Sequence, residues 1–374
     1  MEKAITDCCN HSAVKREKPR KYVANPYEIG ISIPRGPERE RILANVVLHA
    51  FAGQRVALVT RGVSSLGVDE SIALGTQCIN NGRQRVLVYP TVADEFLDVG
   101  PLIDADFAVI GDERAEQVPA LVYMDGPNPP GHAHALGYLG KPSLCPVLPS
   151  SSVYFSVDDH AGIADFVRGY LAKQAAAVPL YGLVLTGGQS TRMNEDKSSI
   201  DYHGKPQVAR CAELLETVCS QVFVSCRAEQ SHEPHLAPYT QIHDAFLGFG
   251  PMGGILSAQK EYANVAWLVL ACDLPFVDGD TLSHLIRHRN PFKLATAYLG
   301  SESQLPEPLC AIYEPKSVHR MLGFLGKGFH CPRKVLINSD SNLLALPEPH
   351  ALDNANSPDE RAAALQALRE GATE

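Results

Sequence analysis

A run of nine residues, VAWLVLACD at 265–273, is apolar at every position except the last. A strand of this composition is buried on both faces, which is typical of the centre of a parallel sheet that has helices on each side. Its closing residue, Asp273, would stand at the carboxyl end of the strand, where open α/β sheets bind their ligands. The run therefore predicts an α/β fold and makes Asp273 a candidate site residue.

The first half of the chain shows an alternation of strands and helices. Short apolar runs of strand length recur at 27–33, 55–60, 85–89, 106–110 and 120–124. The segment 38–51 has Ile42, Val46 and His49 on one helical face, and 161–175 is amphipathic. Strand, helix and strand joined by short links predict parallel pairing.

The second half repeats this order. A strand at 182–188 enters a glycine turn, the residues 205–220 have helical spacing, and 221–226 is the next strand. We expect Gly253 to open a helix and 359–370 to form the last one.

A link near residue 178 separates the two halves. We therefore predict a flexible leader at 1–26, followed by two Rossmann-like three-layer α/β domains at 27–177 and 178–374. Mostly parallel sheets are expected in both domains, because each repeats the same strand and helix order.

Composition excludes several classes of function. The 374 residues carry a formal net charge of −9, so a general binder of nucleic acid or of anionic membranes is not expected. No apolar stretch reaches the roughly 18–20 residues that span a bilayer, and the first ten residues lack the apolar region of a secretory signal. The ten cysteines are scattered without a C-x-x-C pair, which indicates reduced thiols and a cytoplasmic protein. Cys8, Cys9 and His11 are too few for a closed tetrahedral metal site.

The first glycine loop lies at 31–41, between a strand and a helix, where a P-loop would stand. In place of the lysine and hydroxyl of that motif the chain has Glu38, Arg39 and Glu40. Two carboxylates at a helix N-terminus repel a triphosphate, so we expect no phosphate binding here, although Arg39 could imitate the lysine.

A later loop at 128–137 contains His132 and His134. The pair could bind a metal or a pterin. Its proline and glycine content favours a solvated turn instead.

The second glycine loop, LVLTGGQSTRMNEDK at 183–197, has the chemistry that the first one lacks. Gly187 and Gly188 allow the backbone to approach a phosphate closely, and loop N–H groups can donate to its oxygens. Arg192 and Lys197 add positive charge within one loop length. The combination predicts a pocket for a triphosphate whose pyrophosphate must leave, in preference to an exposed turn.

Two carboxylates are expected to converge on this loop. Asp244 follows a short strand and precedes a loop that contains Gly250, Gly253 and Gly254. Asp273 ends the most apolar strand, so it is well placed to hold Mg²⁺ against phosphate oxygens. A capping or turn role is the alternative for each carboxylate.

The second half resembles the molybdenum cofactor guanylyltransferases (MobA-like) in five segments, in that family's order and spacing, over about 180–372. These segments are LTGGQSTRMNEDK, GPMGGI, CDLPF, EPLCAIYEP and DNANSPDE. The resemblance implies a domain of nucleotidyltransferase type that joins GMP from GTP to molybdopterin or Mo-molybdopterin and releases pyrophosphate.

The resemblance also implies roles for individual residues. Five residues would contact the guanine nucleotide: Leu185, Thr186, Gly187, Lys197 and Asp244. Asp273, at the end of the apolar strand, would contact both the nucleotide and Mg²⁺.

This chain departs from the family at two positions. Ser225 stands where the family often has Asn, and Asn194 where it usually has Gly. The pair Gly187-Gly188 resembles the GTP-using branch, since the cytidylyl branch tends to have Ala-Gly there.

The substrate partner is less well defined. Arg227, Lys327, Arg333 and Lys334 are candidates for the pterin by charge alone, and each also fits an ordinary surface base.

The first half, over 27–175, resembles the molybdopterin-guanine dinucleotide accessory proteins (MobB-like) without their nucleotide motif. That resemblance implies a structural relic or a docking domain, whose partner would be a pterin donor or an apo-molybdoenzyme.

The residues are also compatible with two other functions. One is a related nucleotidyltransferase that uses CTP or acts on a sugar phosphate or cobinamide phosphate. Another is a non-catalytic nucleotide-binding or cofactor-binding regulator, which the joint presence of Lys197, Asp244 and Asp273 disfavours.

Overall fold

The computed structural model describes residues 27–34, 39–51, 54–60, 86–90, 105–111, 113–144, 146–186 and 196–371. These residues form two seven-stranded sheets with helices packed against them. The predicted leader at 1–26 and Glu38 lie outside the described residues, as does the side chain of Glu40.

The first sheet is parallel at every described pairing, and its strand order is β3-β2-β4-β1-β5-β6-β7. Its strands are β1 (Glu28–Ser32), β2 (Val56–Thr60), β3 (Val86–Pro90), β4 (Phe107–Ile110), β5 (Ala120–Met124), β6 (Ala135–Gly140) and β7 (Tyr154–Ser156). The five predicted strands are confirmed. The predicted histidine-containing turn ends earlier than expected, because β6 begins at Ala135.

The helices of the first half cover one side of this core. Helix α1 (Arg39–Asn45) continues as a π-helical turn (Val46–Ala50), and α2 (His160–Ala176) confirms the predicted amphipathic helix. Ile42 and Val46 are buried, whereas His49, which was predicted on the same helical face, is exposed. A π-turn holds more residues per turn than an α-helix, so it rotates later side chains off the expected face.

The second sheet has the order β10-β9-β8-β11-β13-β12-β14, and β13 is antiparallel to both of its neighbours while the other pairs are parallel. Its strands are β8 (Leu180–Leu185), β9 (Gln221–Cys226), β10 (Gln241–His243), β11 (Ala266–Ala271), β12 (Ala295–Leu299), β13 (Pro306–Tyr313) and β14 (Asn342–Leu344). All six residues of β11 are buried, which confirms the prediction made from its composition.

Helices cover both faces of this sheet. They are α3 (Gln207–Glu216), α4 (Pro251–Glu261), α5 (Gly279–Arg287), α6 (Ser317–Gly326), α7 (Pro332–Ile337) and α8 (Pro358–Gly371). Alternate residues of β11 enter two cores: Trp267 packs in the core that includes α4, and Leu268 in the core that includes α3. Across the described residues, no helix has the length and apolar character needed to cross a membrane.

The two sheets are joined at the edge where their strands begin. Phe292, just before β12, packs against the core of the first half, and its ring centroid lies 4.9 Å from that of Tyr27. Lys316, which follows β13, is buried, and its ammonium donates to the carbonyl of Ala105 at 2.9 Å and to that of Phe292. The pKa of Lys316 is lowered to about 8, because burial in the joint removes water from its ammonium group.

Ion pairs surround this buried lysine. Lys293 Nζ lies 2.7 Å from Asp106 Oδ1 and 2.8 Å from Asp340 Oδ2. Arg55 donates its backbone N–H to Asp106 at 3.1 Å, and its guanidinium lies 3.2 Å from Asp340. Lys293 thus links a carboxylate of the first half to one of the second half.

We expect Lys293→Ala to destabilise the protein by about 1–3 kcal/mol, since these pairs are intermediate between exposed and buried ones. Truncation leaves Asp106 and Asp340 without their shared cation. Urea denaturation followed by circular dichroism measures the change.

Lys205→Ala is the matched control, because Lys205 pairs with Glu213 at 2.8 Å on an exposed surface. It should cost no more than about 1 kcal/mol. Equal losses in the two variants would contradict a structural role for the joint.

Candidate active site

The register of the parallel strands brings four chain segments to one edge of the second sheet. Leu185 at the end of β8 is paired with Ser225 of β9 and with Ala271 of β11. At the end of β10, His243 is paired with Cys226. The residues that follow these strand ends therefore meet at the carboxyl edge, which is opposite to the joint with the first half.

A chain of hydrogen bonds fixes three of the predicted site residues at this edge. Thr186 Oγ1 donates to the carbonyl oxygen of Ser225 at 2.8 Å, and Ser225 Oγ donates to Asp244 Oδ1 at 2.8 Å. Burial raises the pKa of Asp244, while the Ser225 hydroxyl and the Arg227 charge oppose this shift. An acceptor carboxylate is thus held in place beside Thr186 and Ser225.

These side chains line a cavity of about 200 Å³. Its lining combines the ends of β8 and β9 with the loop that leads into α4: Leu185, Thr186, Ser225, Cys226, Arg227, Asp244, Phe246, Leu247, Gly248, Gly250, Pro251 and Gly254. Sites that enclose a drug-sized ligand measure about 300–1,000 Å³, and the volume of this cavity is enough for one nucleobase.

A glycine just before α4 and another in the first turn of α4 shape this cavity. Gly250, immediately before α4, has a φ of 55°, which L-residues with a side chain rarely adopt. A Cβ on Gly254 would lie 2.6 Å from Ser225 Oγ, so a larger residue would displace the hydroxyl that contacts Asp244. The helix predicted to open at Gly253 begins two residues earlier, at Pro251.

A lysine and a carboxylate form the second part of the site. Lys197 Nζ lies 3.3 Å from Asp273 Oδ2, and each side chain is 17% exposed. Asp273 Oδ1 is buried and has no hydrogen-bond partner among the described residues. A buried anionic oxygen without a donor is a strong acceptor for a cation.

Asn356 is a further member of this site, which was not predicted from the sequence. Its side-chain oxygen accepts a hydrogen bond from Lys197, and Ala355 N–H donates to the Asp273 carbonyl at 3.0 Å. Glu360 accepts from the backbone N–H groups of Asn356 at 2.6 Å and Ser357 at 3.0 Å, and these bonds lower its pKa. The signal lay in the DNANSPDE segment at 353–360, whose sequence alone does not say which lysine it meets.

The other candidates have different positions. Gly187, Gly188 and Arg192, with Asn194, lie outside the described residues. Of the candidate pterin contacts, Arg227 lines the cavity. Arg333 is paired with Glu307 at 2.8 Å, Lys334 Nζ lies 5.1 Å from the ring centroid of Phe329, and Lys327 follows α6.

In the first half, the candidate ligand groups make internal contacts. Arg39 donates to the carbonyl of Gly111. The His132 ring lies 3.1 Å from the carbonyl oxygen of Ala115 through Nε2, and its Nδ1 accepts from the backbone N–H of His134 at 3.2 Å. These contacts agree with a structured turn at the histidine pair.

Comparison with known proteins gives matches to the second half. Residues 182–341 match the MobA-like NTP transferase domain. A molybdenum cofactor biosynthesis bifunctional protein from Synechocystis is 37% identical over 182 residues, which are 49% of this chain and 52% of that protein. This chain thus spans about half the length of that relative.

Two further comparisons cover most of a shorter protein. A probable molybdenum cofactor guanylyltransferase from Natronomonas pharaonis is 30% identical over 141 residues, which are 36% of this chain and 68% of that protein. The crystal structure of molybdopterin-guanine dinucleotide biosynthesis protein A from Archaeoglobus fulgidus aligns with this chain at a TM-score of 0.44 and 23% sequence identity. The aligned region covers 51% of this chain and 99% of that protein. On the sequence matches, this chain belongs to the MobA-like family of molybdenum cofactor guanylyltransferases.

Proposed function

We propose that this protein transfers GMP from GTP to the terminal phosphate of molybdopterin or Mo-molybdopterin. A phosphate oxygen of the pterin attacks the α-phosphorus of GTP, a new P–O–P linkage forms, and the bond to the β-phosphate breaks to release pyrophosphate. The observation that carries this proposal is the pairing of Lys197 with Asp273, whose second carboxylate oxygen is buried without a partner.

Positioning and charge neutralisation supply the catalysis, because two anions must approach each other. Lys197 is held by Asp273 and Asn356. Its ammonium can therefore reach a triphosphate oxygen with little loss of side-chain freedom. Arg192 would add charge from the same glycine loop, in which the N–H groups of Gly187 and Gly188 would meet the phosphates.

Asp273 would hold Mg²⁺ in this reaction. The fit rests on Asp273 Oδ1, since a carboxylate oxygen is the ligand type that Mg²⁺ prefers. When bound, the ion would neutralise phosphate charge at the α-phosphorus. Lys197 would then lie beside the same carboxylate and stabilise the departing pyrophosphate.

The cavity beside this pair would receive the guanine base. Guanine presents adjacent N–H donors on its pairing edge, and the Asp244 carboxylate is an acceptor fixed by Ser225. Cytosine lacks that pair of donors. Leu185 and Thr186 would contact the nucleotide at the end of β8.

The partners and the compartment follow from this chemistry as further proposals. A pterin donor and an apo-molybdoenzyme are the proteins that would supply substrate and take product, and the first half would dock them. The described cysteines, among them Cys211, Cys226 and Cys272, are free thiols, which supports a cytoplasmic location.

We expect Asp273→Asn to lower dinucleotide formation by about 10²–10³-fold, the scale for one preorganised electrostatic contact. Lys197→Ala should lower it similarly and also weaken GTP binding. Mass spectrometry of the product made from Mo-molybdopterin, GTP and Mg²⁺ measures both.

Asp165→Asn is the control for Asp273→Asn, because Asp165 is an exposed partner of Arg168 in the first half. Lys205→Ala is the corresponding control for Lys197→Ala. Dinucleotide formation at the wild-type rate by both site variants would contradict the assignment of Lys197 and Asp273 to the active site.

We expect GTP to be used well ahead of CTP, and Asp244→Asn to lower kcat/KM for GTP by about ten- to a hundredfold, the range for a lost charged hydrogen bond. Competition between the two nucleotides in one reaction measures the preference directly. Equal or better turnover with CTP would place the protein in the cytidylyl branch.

A further inference from the structure

Three potential metal ligands meet beside the active-site turn, outside the contacts of the proposed reaction. They are Asp196, Glu233 and His235, and one donor atom from each lies within 4.8 Å of the other two. Asp196 comes immediately before Lys197, whereas the other two lie in the segment between β9 and β10. The cluster thus connects two separate parts of the chain.

The two distances from His235 to the carboxylates are longer than hydrogen bonds, although His235 Nε2 also lies 2.9 Å from Ser198 Oγ. His235 Nε2 lies 3.4 Å from Asp196 Oδ2 and 3.5 Å from Glu233 Oε2. Good N–H···O bonds are about 2.7–3.2 Å long. Ligands about 2.0–2.1 Å from a tetrahedral ion are about 3.3–3.4 Å apart, which matches the spacing around His235.

An unsatisfied oxygen independently points into this cluster. Asp196 Oδ1 accepts from the backbone N–H and the hydroxyl of Ser198, at 3.0 and 2.8 Å. Asp196 Oδ2, the oxygen that faces His235, is buried and accepts no hydrogen bond from the described residues. A buried carboxylate oxygen in this state is costly unless a cation or donor reaches it.

Both sides of the cluster are held by contacts outside it. The side-chain amide of Gln241 donates to the carbonyl oxygens of Ser231 and Leu236, each at 3.0 Å, and Leu236 is fully buried. These bonds fix the segment that carries Glu233 and His235. The donors are therefore preorganised, and only the half-exposed Glu233 has room to adjust.

We propose that Asp196, Glu233 and His235 bind a divalent transition-metal ion of the zinc type, separate from the Mg²⁺ of Asp273. An imidazole nitrogen with two carboxylates selects zinc-like ions, whereas Mg²⁺ prefers oxygen ligands alone. The ion would replace the contact of His235 Nε2 with the Ser198 hydroxyl, now 2.9 Å away, and water would complete the coordination. The ion ties the turn that presents Lys197 to the segment after β9.

Calorimetric titration of the metal-free full chain with Zn²⁺, in excess Mg²⁺, tests this site. The wild type should bind one Zn²⁺ that His235→Gln and Glu233→Gln lose or bind at least about tenfold more weakly. His232→Gln is the matched control, because His232 is an exposed histidine of the same segment outside the cluster. It should keep the wild-type isotherm.

Thermal melting provides the second readout. Zn²⁺ should raise the melting temperature of the wild type and of His232→Gln but not that of the two cluster variants. Thermal melting without metal shows whether each variant is folded. If His235→Gln does not fold, the Zn²⁺ response of Glu233→Gln decides the test. Identical Zn²⁺ responses in all four proteins, or none in the wild type, would overturn the site and leave the proposed transferase activity unaffected.

Discussion

Parallel pairing of β8 with β9 and β11 is the interaction on which the rest of the second half depends. The backbone hydrogen bonds of these pairs set where each strand ends, and Leu185, Ser225 and Asp273 stand in or just after such an end. A slip of one residue would exchange the two faces of β11 and move Trp267 and Leu268 into each other's cores. The burial of both faces therefore also fixes the relative heights of Ser225 and Asp273.

Local features of the sequence predicted the framework well. The apolar run around β11, the strand before the glycine turn and the acidic residues after strands all depend on neighbours in the chain. Rearrangements within an element were harder to predict. The π-helical turn after α1 turned His49 outward, and no spacing rule for a regular helix signals it.

Contacts between distant parts of the chain were the main omission. Asn356 meets Lys197 across 159 positions, and Lys316 meets Ala105 across 211. A lysine that is fully buried looks in sequence like a surface lysine, because only the fold shows which carbonyl groups surround it. The same holds for the Asp196, Glu233 and His235 cluster, in which each residue alone is ordinary.

The joint between the halves lies at the strand edge opposite to the candidate active site. Lys293 and Lys316 interact there with groups that precede or follow strands, whereas Thr186, Asp244 and Asp273 lie at the other edge. The geometry separates attachment from chemistry. Among the described contacts, the joint and the cavity are therefore connected through the body of the second sheet.

The contacts of Asn356 also have a consequence for the order in which the site is made. Asn356 and Glu360 follow all the described strands in the chain, yet they hold the lysine that stands near the start of the second half. During synthesis, β8 and β11 are made well before the segment that holds Lys197. The ammonium of Lys197 therefore gains its Asn356 contact only when this last described segment has been made, later than its Asp273 partner.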